Sequence, residues 1–123
     1  MTVTLLTGAS SGIGRSLARR LAHDPLALIA RRKPLLDTLA AEIEAAGGRA
    51  LAIACDVTDP AQVASAVRAA EARFGPIERL IANAGGGSRT DVQSFRAADI
   101  EQVLALNVVG VAHCIEAVLP GML

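Results

Sequence analysis

Tyrosine and tryptophan are absent from this sequence, and phenylalanine occurs twice in 123 residues. The core therefore has to be aliphatic, and apolar residues, at 52%, supply enough material for it. Few aromatics and a balanced charge, twelve basic against twelve acidic residues with no basic stripe, argue against a nucleic-acid partner. Cysteine usage argues against disulfide and zinc frameworks: Cys55 and Cys114 sit singly in apolar runs, with no CxxC or Cys/His spacing. They read as small buried hydrophobes in a reducing cytoplasm, and no metal site is expected. Met1–Thr4 offers no basic segment and Gly8 breaks the first apolar run, so no signal peptide is expected. Asn107, His113 and Glu116 interrupt the apolar tail Val103–Leu123, so no membrane span is expected there.

What is present is a regular alternation of two patterns. Val3–Thr7, Leu26–Ala30, Ala50–Cys55 and Ile77–Ala82 are short runs that are apolar throughout, as strands covered on both faces must be. Between them lie helical stripes: Ile13, Leu17 and Leu21 within 12–23, then Leu35, Leu36, Leu39 and Ile43 after Pro34. Asp59-Pro60-Ala61-Gln62 has the form of a capping box and opens a third helix, with Val63, Val67, Ala70 and Phe74 as its stripe. A long pattern from Ala98 to Leu119 carries Ile100, Val103, Leu104, Val108, Val111, Ile115 and Val118. Asp24-Pro25, Gly47-Gly48 and Gly75-Pro76 provide the breaks. The βαβαβαβα order with short connections predicts one α/β domain, doubly wound around a parallel sheet.

The first strand-to-helix junction reads Thr7-Gly8-Ala9-Ser10-Ser11-Gly12-Ile13-Gly14. Three glycines at this spacing have separate uses: a sharp turn off the strand, close backbone approach to a pyrophosphate, and close helix–strand packing. Ser10 and Ser11 add hydroxyls, and the helix N-terminus adds free N–H groups and positive potential. Together these predict a Rossmann-type nucleotide site. The end of the second strand selects the nucleotide. An NAD-preferring site usually places an acid there, about 20 residues past the glycine loop, whereas here the chain reads Ala30-Arg31-Arg32-Lys33. An arginine can fork onto a 2′-phosphate that an acid would repel, so NADP(H) is expected over NAD(H). No GxxxxGK[ST] segment exists, which excludes a P-loop NTPase, and the missing acid argues against a methyltransferase.

These segments, in this order and over essentially the whole chain, resemble the short-chain dehydrogenase/reductase family. Thr7–Gly14 is similar to its TGxxxGxG loop, and Ala30-Arg31 to the neutral-then-basic strand end of its NADP(H)-dependent members. The resemblance implies a strand order of 3-2-1-4 and a dinucleotide bound by Gly8, Ser10, Ser11, Gly12, Ile13, Gly14, Arg31 and Arg32. It further implies that Asp56 and Val57 touch the adenine. Ala82-Asn83-Ala84-Gly85 resembles the family's NNAG segment, with Ala82 in place of the first Asn. By similarity Asn83 braces the sheet, and Ala84 and Gly85 lie along the cofactor. Asn107 matches the helix Asn of the catalytic tetrad, which holds a proton-relay water.

The rest of that tetrad, a Ser and a Tyr-x-x-x-Lys, is not in the chain: it has no tyrosine, and its single lysine is Lys33, in the cofactor turn. The resemblance therefore implies that residues 1–123 form the cofactor-binding half of an oxidoreductase, truncated before those groups and inactive alone. The parent would act on a small-molecule carbonyl or alcohol. The alternative is a non-catalytic NADP(H)-binding or interaction module. An open fourth strand and the apolar last helix predict self-association, through that helix in a homo-oligomer. The loop 86–95 is a candidate pocket entrance.

Overall fold

Leu5 and Leu6 point to opposite faces of one sheet, and that alternation organises the molecule. The computed structural model describes residues 1–87 and 91–123. Four strands, β1 (Thr4–Thr7), β2 (Leu26–Ala30), β3 (Ala50–Ala54) and β4 (Arg79–Ile81), pair in parallel in the order β3-β2-β1-β4. Thr4 lies between Leu26 and Arg79, and Leu26 is in turn opposite Ala50. On one face Leu5, Ala27, Ile29 and Ile77 pack with Val63, Val67 and Val118. On the other, Leu6, Leu26 and Leu28 pack with Ala18, Leu36, Leu39 and Ile43. Both faces are covered, which is why these strands are apolar at successive positions. The strand order and the alternating helices make this a Rossmann-type fold, as the residue pattern predicted.

The helices are α1 (Gly12–Arg20), α2 (Lys33–Ala45), α3 (Pro60–Phe74), α4 (Ala97–Leu104) and α5 (Gly110–Met122). A 3₁₀ turn covers Val92–Ser94, and a π turn, Ala105–Val109, joins α4 to α5. Several expectations need correction. Ile13 is 73% exposed and is no part of a buried stripe; the sheet-facing residues of α1 are Gly14 and Ala18, small enough for close approach. In α2, Leu35 is exposed while Leu36, Leu39 and Ile43 are buried. Lys33 begins α2 and binds Asp37 at 2.8 Å, so it belongs to that helix and not to the cofactor turn. The fourth strand is three residues long, with Ile77 buried just before it.

The capping box forms with one changed arm. Asp59 accepts from the N–H groups of Ala61 and Gln62, as expected of an N-cap. The Gln62 side chain, however, does not return to the N–H of Asp59; its Oε1 accepts from the N–H of Asp56 at 2.9 Å. That ties α3 to the turn after β3. Phe74, read as part of the α3 stripe, is only partly buried, with Arg49 and Arg73 over its ring at 5.8 and 5.4 Å.

The long last helix is also not continuous. In the π turn the Gly110 N–H reaches back five residues to the Ala105 carbonyl. Asn107 accounts for this: its Nδ2 donates to the Val103 carbonyl at 2.8 Å, competing with the backbone for the acceptor one turn back. From Ala97 to Met122 the helical run is long and apolar enough, by length and composition, to cross a membrane. Here it lies along the sheet: Cys114 and Val118 are buried in the core, and His113 bonds the Val57 carbonyl. Its other side exposes Ile100, Leu104, Val108, Ile115 and Leu119. Cys55 and Cys114 are free and buried, in the role their sequence context predicted.

Candidate functional site

The C-terminal ends of the strands open onto one cavity of about 480 Å³. Gly8, Ser10 and Ser11 line it from the first loop, Ile29, Ala30, Arg31 and Arg32 from the second, and Cys55, Asp56 and Val57 from the third. Asn83, Ala84, Gly85 and Leu106 close it. Of the residues singled out in the sequence, Gly12, Ile13, Gly14 and Asn107 lie outside this lining. A neighbouring hollow, shared at Arg31, Asp56, Gly85 and Leu106, extends the cleft towards Asp99 and Gln102 on α4. The described part of the 86–95 loop contributes Gly86 and Gly87 there, and residues 88–90 lie outside the described residues.

The glycine loop is shaped by contacts that no side chain would permit. Gly8 has φ +66°, and a Cβ there would sit 2.9 Å from the Cα of Ala84. At Gly14 a Cβ would run into the Gly8 carbonyl oxygen and come within 2.7 Å of Asn83 Nδ2. Asn83 Nδ2 donates to that same Gly8 carbonyl at 3.3 Å, and the Ala84 N–H donates to Thr7 Oγ1 at 2.8 Å. Thr7 is buried, so its hydroxyl belongs to the structure of the joint and not to its surface. These bonds fasten the ends of β1 and β4 and present the loop as a rigid rim.

The rim ends in an uncapped helix. At α1 the Ser11 side chain makes no cap hydrogen bond and the first turn holds no acid, in contrast to α3, which Asp59 caps. The N–H groups of that turn are therefore free for an anion. Gly12, with φ +57° and nothing within 4 Å of an added Cβ, leaves open space at this point. Across the cavity stand two guanidinium groups. Among the described residues neither Arg31 nor Arg32 enters an ion pair.

Asp56 faces them with its carboxylate already engaged. Oδ1 accepts from the Thr58 hydroxyl at 2.7 Å and from the Thr58 N–H at 3.0 Å. These two bonds, with a smaller contribution from Arg31, hold the Asp56 carboxyl below the usual carboxylate range. Cys55 beside it is the reverse case: burial, then the nearby Cys114 and acidic groups, push its thiol up to about 11. Cys55 is therefore a neutral wall and not a nucleophile.

Asn107 braces the fourth loop from the π turn. Its Nδ2 donates to the Gly86 carbonyl at 2.6 Å, and its Oδ1 accepts from the Gly86 N–H at 3.1 Å. Sequence reasoning gave Gln62 a capping partner it does not take and assigned His113 no role in the site; their bonds to Asp56 and Val57 cross between elements and leave no periodic trace. Among the described residues no group of His, Cys, Asp and Glu could hold a metal ion.

Fold, rim and cavity thus define a Rossmann-type domain with a glycine loop and an uncapped helix N-terminus at the end of its first strand. Residues 2–123 match the family model described as short chain dehydrogenase, and the chain belongs to that family. It is 38% identical to a fatty acyl-CoA reductase of Mycobacterium tuberculosis over 97% of this chain and 42% of that protein. A short chain dehydrogenase/reductase of Burkholderia phymatum solved with NAD superimposes with a TM-score of 0.93 at 34% identity, covering 99% of this chain and 44% of the other. A metagenomic short-chain oxidoreductase solved with NADP gives 0.90 at 31% identity, covering 98% and 56%. The chain spans half or less of the length of the curated relatives it matches.

Proposed function

We propose that residues 1–123 are the cofactor-binding part of an oxidoreductase that moves a hydride between NADP(H) and a carbonyl or alcohol substrate. The observation that carries the choice of NADP(H) is the pair Arg31 and Arg32 at the cavity, with no acid at the end of β2. Family membership and neighbours solved with NADP and with NAD support a nicotinamide dinucleotide. When bound, that group supplies the hydride acceptor or donor. The chain's own residues bind and orient it: the α1 N-terminus and the Gly8–Gly14 loop take the diphosphate, and Arg31 with Arg32 takes the 2′-phosphate. Asp56 and Val57 border the adenine, and Asn83, Ala84 and Gly85 lie along the ring-bearing side.

Calorimetric titration with NADPH and NADH tests this. The expected result is tighter binding of NADPH, with Arg31→Asp cutting NADPH affinity at least tenfold and leaving NADH within about threefold. Equal affinities that Arg31→Asp does not separate overturn the phosphate assignment. No binding of either overturns the nucleotide reading for this chain.

A second part of the proposal concerns turnover. The chain has no tyrosine, and Lys33 is held by Asp37, so no Tyr/Lys acid–base pair exists within it. We read it as binding cofactor without turning over substrate alone. The exposed Leu104, Val108, Ile115 and Leu119 support self-association through the last helix. A concentration-independent monomer in sedimentation would remove that element.

A further inference from the structure

The turn after β3 is held from two sides, and the second side is unassigned. Towards α3, Gln62 Oε1 accepts from the Asp56 N–H at 2.9 Å and the Asp56 carbonyl accepts from the Asp59 N–H at 3.0 Å. Towards α5, Val57 presses on Gly110, where an added Cβ would lie 2.8 Å from Val57 Cγ2. One helical turn further on, His113 Nδ1 meets the Val57 carbonyl oxygen at 2.8 Å. A carbonyl can only accept, so Nδ1 carries the hydrogen and the imidazole is the donor.

The bond matters because of the peptide it grips. The Val57–Thr58 peptide is planar and trans, so its C=O and N–H point in opposite directions and cannot turn separately. Its oxygen is taken by His113, and its N–H donates to Asp56 Oδ1 at 3.0 Å. Fixing one end therefore fixes the other, and with it the Asp56 carboxylate that lines the cavity. Packing alone would not call for an imidazole here, since the α5 neighbours that fill the core, Cys114 and Val118, are apolar.

We propose that His113 is a positioning residue for the adenosine end of the dinucleotide, acting on Asp56 through the Val57–Thr58 peptide. This rests on the nucleotide reading above. His113 touches no ligand; it orients the group that does. His113→Leu keeps bulk and removes the donor, and His113→Asn replaces the donor at nearly the same place. Binding of ADP and the Asp56 carboxyl titration, both followed by NMR, are the readouts. With His113→Leu, ADP affinity should fall about fivefold, the scale of one lost hydrogen bond, and the Asp56 carboxyl should titrate at higher pH. His113→Asn should recover most of both. Wild-type chain that binds no ADP overturns the nucleotide reading and this assignment with it. Wild-type binding that His113→Leu leaves unchanged, or losses equal in the two variants, overturns the assignment alone.

Discussion

The Asn107 side chain pairs with the backbone of Gly86 as one strand residue pairs with another. Its amide nitrogen donates to the Gly86 carbonyl at 2.6 Å while its oxygen accepts from the Gly86 N–H at 3.1 Å. An aspartate could make only the second of these bonds, and its charge would repel the carbonyl. We expect Asn107→Asp to destabilise the chain by about 0.5–1.5 kcal/mol in urea unfolding, the scale of a solvent-accessible hydrogen bond, since these contacts are exposed. The Gly86 amide should lose protection in hydrogen exchange. Unchanged protection would show that the loop is held by other contacts.

Gly12 and Gly14 should respond differently to alanine. At Gly14 the added Cβ meets the Gly8 carbonyl and Asn83 Nδ2, neither of which can yield without opening the β1–β4 joint. Gly14→Ala should cost about 1–3 kcal/mol, as overpacking does, and abolish nucleotide binding. Gly12 has room, so Gly12→Ala should carry only the cost of its left-handed backbone, about 1–2 kcal/mol. Denaturation midpoints of the two variants decide the order.

Asp56 makes stability depend on acid. Its carboxyl is lowered in the folded chain, first by the Thr58 hydroxyl, then by the Thr58 amide. The stabilisation is therefore present above the unfolded carboxylate value, about 3.9, and is lost as pH falls through the lower folded value. Thr58→Val removes the hydroxyl bond. Its midpoint should lie below wild type at pH 6 and converge with it near pH 2. A constant gap across that range would locate the effect in packing.

Cys55 makes the complementary case in base. Its folded value of about 11 lies above the ordinary thiol. The neutral thiol thus stabilises the fold fully below the unfolded value, about 8.5, and that contribution disappears as pH rises towards 11. Cys55→Ser, with no thiol to ionise, should show a flatter loss of stability between pH 8.5 and 11. In native wild type at pH 8, iodoacetamide should label neither cysteine within minutes and label both in urea.

The legible parts of this molecule were those written into consecutive residues. Thr7–Gly14 announced its turn, its helix N-terminus and its close packing because each needs a residue type at a fixed offset. Asp59 announced its cap for the same reason, and Arg31 and Arg32 announced a basic rim by the absence of an acid. Ile13 misled because its spacing fits the stripe of Leu17 and Leu21, which do pack partly on the core, whereas at the start of the helix it is Gly14 that faces the sheet and Ile13 points to solvent. The π turn was hidden because hydrophobic spacing is nearly the same on either side of it. The Gln62 bond to Asp56 and the whole role of His113 were hidden because their partners, the Asp56 N–H and the Val57 carbonyl, lie outside their own helices.

The π turn at Ala105–Val109 also sets the phase of everything after it. It holds one residue more than an α-helical turn, so each later side chain is rotated by about 100° from where an unbroken helix would place it. The helix behaves as two rods keyed out of phase, one bearing Asp99 and Gln102 on the cleft and the other bearing His113, Cys114 and Val118 on the body. Within the key, Asn107 is the residue whose side chain holds that phase, through its bond to the Val103 carbonyl. Removal of a single residue from the key would turn the second rod like a misfitted thread, carrying His113 off Val57 and Cys114 out of the core together.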